Sequence, residues 1–148
     1  MEIASDSPHP GSANLSQAVL LDHFRHPRNR RALGPPALEG VAHNPYCGDV
    51  VQIWVHLEDG VLEEVTFDGQ GCTISQAAAS IVSEVVRGKT PQEAKLLRET
   101  FVAALSDGDV EPTDILGDLR SLKGAGRFPA RVRCALLAFE ALQTALDK

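Results

Sequence analysis

The residues of this sequence that are best suited to chemistry are three cysteines, Cys47, Cys72 and Cys134. Cys72 directly precedes a strong helix-start signal, and the unsatisfied amides and dipole of a helix N-terminus favour the thiolate form of a cysteine placed there. One glycine separates Cys47 from Asp49, and side chains two positions apart on an extended segment point to the same side. Cys47 and Asp49 can therefore bind one ion.

Cys134 completes the set, although it lies beyond the first turn of its predicted helix. Arg131 and Arg133 stand near it and can support a thiolate by direct charge. Three thiolates and the carboxylate of Asp49 form a four-ligand set. Such a set suits tetrahedral Zn²⁺, and it equally suits an iron-sulfur cluster held mostly by thiolates. The residue types alone leave both metals open.

The spacing of the cysteines is by itself a weak signal, because the sequence has no C-x-x-C pair. A free cysteine is often a small buried core residue, and this is the alternative interpretation. All three cysteines, however, stand at element boundaries or beside charged residues, which is poor placement for residues that only fill the core. We therefore predict that the three sulfurs converge with the Asp49 oxygen on one metal.

The composition indicates what kind of protein carries this site. With 148 residues, 43% of them hydrophobic, the chain can bury one core, and we expect one domain over residues 15–148 after a flexible tail over residues 1–14. The net charge of -6 argues against a nucleic-acid partner. No apolar run is long enough to span a membrane, and three cysteines cannot all pair within one chain. We therefore expect a cytoplasmic protein with no membrane partner.

Hydrophobic periodicity and turn signals predict the elements that must position these ligands. They are a helix over 15–26, a short edge strand over 38–42, an antiparallel strand pair over 51–57 and 61–68 joined by an Asp-Gly turn, and helices over 73–88, 90–105, 114–122 and from 129 onward. The segment 124–126 is expected to be flexible.

The helix after Cys72 carries the strongest start signal. Thr73 and Gln76 match a capping box, so Thr73 is predicted to cap the helix. Its apolar stripe is predicted to lie on the sheet. The stripe consists of Ile74, Ala77, Ala78, Ile81, Val82 and Val85.

Two groups of basic residues stand out in this acidic chain. The first group comprises His23, Arg25, His26, Arg28, Arg30 and Arg31, and the second lies within residues 127–133. A solvated surface is the ordinary explanation of such groups. Either group could also dock an acidic surface of a partner protein.

Three ordered motifs resemble those of a known family. They are Asn44-Pro45-x-Cys47-Gly48-Asp49, Gly69-x-Gly71-Cys72-x-Ile74-Ser75 and Pro129-x-Arg131-Val132-x-Cys134-Ala135. The segment 20–29 also resembles the first helix of that family and its ending. The family is that of the NifU-like N-terminal domains, the IscU- and SufU-type iron-sulfur cluster assembly proteins, and the resemblance covers nearly everything after residue 14.

This resemblance implies an α+β fold in which helices pack on one face of a small three-stranded antiparallel sheet. It implies two kinds of partner, namely a pyridoxal-phosphate cysteine desulfurase that supplies sulfur and recipient apo iron-sulfur proteins. By matching, Cys47, Asp49, Cys72 and Cys134 are metal ligands. Scaffold members of the family build a [2Fe-2S] cluster on these residues, helped by a histidine just before the last cysteine.

Two features depart from the scaffold pattern and resemble the SufU branch. Arg133 stands where the histidine would be, and the segment between Cys72 and Cys134 is longer by about one helix. An arginine has no lone pair for a metal. The SufU resemblance implies Zn²⁺ at the same four positions and sulfur acceptance from the desulfurase, with Cys47 as the acceptor and Cys134 as the alternative. The 128–132 segment lacks a doubled proline, so no dedicated chaperone is predicted.

We therefore predict zinc-dependent sulfur transfer, and the alternative is a scaffold that assembles a [2Fe-2S] cluster for apo-proteins. A purely structural metal is a third interpretation. A hydrolytic zinc enzyme is the least consistent of all, because four protein ligands leave no open position for water and no motif places a base.

Overall fold

The computed structural model describes residues 8–45, 48–107 and 114–148 of the chain. Strands β1 (Leu38–Asn44), β2 (Asp49–Glu58) and β3 (Val61–Gln70) form an antiparallel sheet in the order β1-β2-β3. The other elements are helices α1 (Pro8–Arg25), α2 (Thr73–Val85), α3 (Pro91–Asp107) and α4 (Pro129–Leu146) and a 3-10 segment (Asp114–Arg127). The predicted α+β class, with helices on a three-stranded antiparallel sheet, is confirmed.

The hairpin of β2 and β3 supplies the inner face of the sheet. It closes through Asp59 and Gly60, whose φ angles of 53° and 80° fit the two-residue turn that matches the twist of a hairpin. A register shift just before Leu57 moves Leu62 into the core and leaves Leu57 37% exposed. The alternation that buries Val51, Ile53 and Val55 would also bury Leu57, but the bulge reverses it there.

Helix α4 lies directly against the sheet. A Cβ added at Gly40 of β1 would lie 2.1 Å from the carbonyl oxygen of Ala141 and 2.4 Å from the amide nitrogen of Ala145, so this approach requires glycine. Ala141 and Ala145 are fully buried, whereas Val132 and Leu136 of the same helix are partly buried and pack against the core. Small residues thus bring the last helix close to β1.

Helix α2 is more central than its sequence pattern suggests. All nine residues from 75 to 83 are buried, because α1, α4 and the 3-10 segment contact this helix as well as the sheet. The residues of the predicted apolar stripe pack in the core and α2 contacts the sheet, but burial extends beyond the stripe to Ser75, Ser80 and Ser83. Its buried serines require hydrogen-bond partners inside the protein.

His23 is the partner of one of these buried serines, Ser80, and is itself only 1% exposed. Its Nδ1 lies 2.8 Å from Ser80 Oγ, and its Nε2 lies 2.9 Å from the carboxylate of Asp118. Ser80 Oγ also accepts the N–H of Arg28. His23 therefore connects α1, α2 and the 3-10 segment, and its assignment to an exposed basic group was wrong.

Two segments begin or pack differently from the prediction. Helix α1 starts at Pro8, inside the expected tail, and residues 1–7 lie outside the described part of the chain. The segment 124–126, expected to be flexible, belongs to the 3-10 segment, and a Cβ at Gly126 would lie 1.9 Å from the carbonyl oxygen of Leu105. Helix α3 begins at a capping box, in which Thr90 and Glu93 form reciprocal hydrogen bonds. None of the described helices is long and apolar enough to cross a membrane.

Replacing His23 by alanine should destabilise the protein strongly. Ser80 would lose a partner in the core and the half-exposed Asp118 would lose a hydrogen-bond partner, which is expected to lower the free energy of unfolding by about 1–3 kcal/mol. Urea denaturation followed by circular dichroism measures this loss. The matched control is His56→Ala, which removes a half-exposed histidine beside Glu58 and should cost less than about 0.5 kcal/mol. Equal effects of the two substitutions would contradict the structural role of His23.

Candidate metal centre

Three of the four predicted ligands come together at one end of the sheet. Asp49 is the first residue of β2, Cys72 immediately precedes α2, and Cys134 lies in the second turn of α4. One ligand atom from each of the three lies within 4.8 Å of the others. Cys47 lies outside the described residues, so its part in the site stays a prediction.

Cys72 and Asp49 form the best-defined contact of the site. The backbone N–H of Cys72 donates to Asp49 Oδ1 at 2.9 Å, and the Cys72 thiol donates to Asp49 Oδ2 at 3.2 Å. Asp49 is 1% exposed, and a buried carboxylate needs such donors or a cation. A metal bound by both side chains must displace the thiol proton, because metal ligands are deprotonated.

Cys72 also caps helix α2. Its φ and ψ of -73° and 165° are extended, and its sulfur accepts the N–H of Ser75 at 3.5 Å. The prediction that Thr73 is the capping residue is therefore wrong by one position. The sulfur itself meets one of the unsatisfied amides of the helix N-terminus, so the helix and the candidate ligand are positioned together.

Gly71 permits the contact between Cys72 and Asp49. A Cβ added at Gly71 would lie 2.2 Å from Asp49 Oδ1, and the φ of 143° at this position is one that other residues rarely adopt. The glycine therefore has a specific function here, because any larger residue would push the carboxylate away from the start of α2.

Two neighbouring residues, Asn44 and Ser75, have roles at the site that were not predicted, although both lie in the cysteine motifs. Asn44, 2% exposed at the end of β1, donates from Nδ2 to the Cys134 sulfur at 3.6 Å. Ser75 donates from its hydroxyl to the carbonyl of Cys72 at 3.2 Å and accepts the Gln76 amide at 3.1 Å. The only hint of these roles in the sequence is their position beside the cysteines.

The backbone at Gly48 is not extended, as the prediction for Cys47 and Asp49 had required. Gly48 was assumed to continue an extended segment into Asp49, but its φ is 72° and its N–H donates to the carbonyl of Asn44 at 2.9 Å. The chain therefore turns between β1 and β2. Pairing of Asn44 with Asp49 across the two strands fixes the buried position of Asp49.

The described donor atoms fit a zinc ion. With zinc–sulfur distances near 2.3 Å and zinc–oxygen distances near 2.0–2.2 Å, ligand atoms in a tetrahedral site are about 3.5–3.8 Å apart. The sulfur of Cys72 and the oxygen of Asp49 lie slightly closer than this, at 3.2 Å, and Cys134 is 5% exposed within the same 4.8 Å group. Small side-chain rotations would therefore suffice to place all three around one ion.

The chain is similar to known proteins over most of its length. The chain is 32% identical over 134 residues to the zinc-dependent sulfurtransferase SufU of Bacillus subtilis, covering 90% of each chain. It is 34% identical to the iron-sulfur cluster assembly scaffold protein IscU of Streptococcus pyogenes, covering 91% of this chain and 84% of the relative.

A solved structure from Fervidobacterium islandicum, described as an iron-sulfur cluster assembly scaffold protein for the SUF system, has the same fold. It superposes with a TM-score of 0.78 at 26% identity, covering 86% of this chain and 93% of that one. The family model of the NifU-like N terminal domain matches residues 15–148. The chain therefore belongs to the family of NifU-like N-terminal domains.

Proposed function

We propose that this protein acts in iron-sulfur cluster assembly by accepting sulfur from a cysteine desulfurase at a site formed by Cys47, Asp49, Cys72 and Cys134. The observation that carries this proposal is the convergence of an aspartate and two cysteines, from three separate elements, within 4.8 Å. Similarity to a relative named as a zinc-dependent sulfurtransferase supports it further. Cys47 would supply the fourth ligand.

We propose Zn²⁺ as the resident metal. When bound, zinc keeps thiolates deprotonated at neutral pH. Arg133, next to Cys134, cannot donate a nitrogen to a metal, so the site has three sulfurs and one oxygen. Asp49 Oδ1 accepts the N–H of Cys72, which leaves Oδ2 to bind the ion. A single hard oxygen among soft sulfurs is the ligand most readily exchanged.

The acceptor in this proposal is Cys47, with Cys134 as the alternative. Its thiolate attacks the outer sulfur of a persulfide on the desulfurase. A new sulfur–sulfur bond forms on the acceptor, the sulfur–sulfur bond of the donor breaks, and the desulfurase cysteine leaves as a thiolate. The hydrogen bond from the Cys72 N–H to Asp49 Oδ1 would hold this carboxylate beside the acceptor even when Oδ2 exchanges.

A second candidate function is a scaffold on which a [2Fe-2S] cluster is assembled as cargo and passed to apo-proteins. It is favoured by similarity to two relatives named as cluster assembly scaffold proteins. The same donor atoms suit a thiolate-held cluster, so the geometry of the site favours neither function.

The metal content of the purified protein should separate the two functions. Anaerobic purification followed by elemental analysis is expected to give about one zinc per chain and colourless protein, because four protein ligands close a tetrahedral zinc site. Iron and acid-labile sulfide in equal amounts would instead support the scaffold function. Protein refolded in metal-free buffer is the metal-free reference for the elemental analysis.

Sulfur transfer itself is tested with a SufS-type cysteine desulfurase. Zinc-loaded protein should stimulate the desulfurase and gain one sulfur by mass spectrometry, whereas metal-free protein should do neither. Cys47→Ser should abolish the gain of sulfur while shifting the thermal midpoint little. The same measurements on Cys134→Ser test Cys134 as the alternative acceptor. Loss of folding in parallel with loss of activity would favour a purely structural metal.

Gly71→Ala should weaken metal binding without removing any ligand. The added Cβ would displace the Asp49 carboxylate, and the loss of such support around a metal typically costs about 10–100-fold in affinity. Competition with a chromophoric zinc chelator measures the change. The control is Gly34→Ala, where an added Cβ meets nothing within 4 Å. Unchanged zinc affinity in Gly71→Ala would remove Asp49 from the proposed ligand set.

A further inference from the structure

A groove of about 480 Å³ opens beside the metal centre. Leu20 of α1, Ile74 of α2, Leu122 of the 3-10 segment and Phe128 contribute its apolar lining. Ile74 is two residues beyond Cys72, so the groove and the site share the first turn of α2. Phe128 is 54% exposed, and an exposed aromatic side chain in a groove is typical of a protein interface.

Four basic side chains line the same groove. They are Arg120, Lys123, Arg127 and Arg131. Within the described ranges, no carboxylate lies within 4.0 Å of any of these four groups. Arg131 lies over the ring of Phe128, 5.5 Å from its centroid, and Arg120 donates to the carbonyl of Gly117. The groove therefore combines an apolar lining with positive charge that the described residues do not neutralise.

In the first basic group of the sequence, by contrast, three arginines are paired within the protein. Arg28, Arg30 and Arg31 pair with carboxylates of the same chain, namely Asp22, Asp68 and Glu64. The hydrogen bond from Arg28 holds the pKa of Asp22 below its ordinary value. These arginines are therefore engaged within the protein. In a chain with a net charge of -6, the groove is the better surface for an acidic partner.

We propose that this groove receives an acidic segment of the desulfurase, with one apolar side chain of that segment packed beside Phe128. The proposal rests on the function proposed above. Carboxylates of the segment would pair with Lys123 and Arg127, and the aromatic contact would anchor it. Because the groove adjoins the first turn of α2, the bound segment would hold the donor protein next to the metal centre.

Direct titration of a labelled SufS-type desulfurase with the zinc-loaded protein tests this proposal. Lys123→Glu/Arg127→Glu should raise the Kd about tenfold at low salt, and the difference should shrink at high salt because ions screen exposed charges. Lys123→Gln/Arg127→Gln should give a smaller increase of the same kind. Phe128→Ala should raise the Kd at both salt concentrations, because its contact is apolar. The amount of sulfur transferred at saturation should not change.

The matched control is Arg87→Glu/Lys95→Glu, which reverses the same number of exposed charges away from the groove. Its Kd should stay within about twofold of wild type. Equal Kd values for the groove and control variants would overturn the groove proposal alone. A change of oligomeric state in the groove variants, with the Kd unaltered, would assign the groove to a second copy and also overturn it. Wild-type protein that neither binds the desulfurase nor gains sulfur would instead overturn the proposed function.

Discussion

The contact between the Asp49 carboxylate and the start of α2 is the interaction on which the rest of the structure depends. A carboxylate that is 1% exposed is costly unless donors or a cation satisfy it, and the amide and thiol of Cys72 do so at 2.9 and 3.2 Å. That contact exists only because Gly71 has no Cβ. Strand β2 and helix α2 are thereby joined at one point, with a sulfur and an oxygen already side by side.

A different constraint, the packing of α4 on β1, positions Cys134 beside Asp49 and Cys72. Helix α4 approaches β1 closely enough that Gly40 cannot carry a side chain, and this close packing holds its second turn beside the end of β1. Asn44, at that end, donates to the Cys134 sulfur across 90 residues of sequence. The geometry of the site is therefore set by sheet register and helix packing, which are rigid, rather than by a loop alone. Such preorganisation is what a metal ligand set requires.

The sequence predicts the elements well, because periodicity and capping are local. The strands, the Asp-Gly turn and the start of α4 at Pro129 all follow from neighbouring residues. The features that the sequence does not predict depend on contacts between residues that are far apart in the chain. Cys72 replaces Thr73 as the cap because the preceding chain is held by Asp49, and His23 is buried because Asp118, 95 residues away, accepts its ring N–H. The convergence of Asp49, Cys72 and Cys134 was predicted from residue types and family motifs, whereas no local pattern encodes the distances.

The long connection between Cys72 and Cys134 links the metal centre to the groove. It contains α3 and the 3-10 segment, and the latter supplies Lys123 and much of the groove wall. His23 ties the 3-10 segment to α1 and α2 through Asp118, so that wall is fixed relative to the site. Under the proposed function, this stretch of chain would provide the surface by which a sulfur donor reaches the exchangeable metal. A basic surface of this kind attracts partner proteins and not the cargo, so under either candidate function it would serve to dock the protein that supplies sulfur.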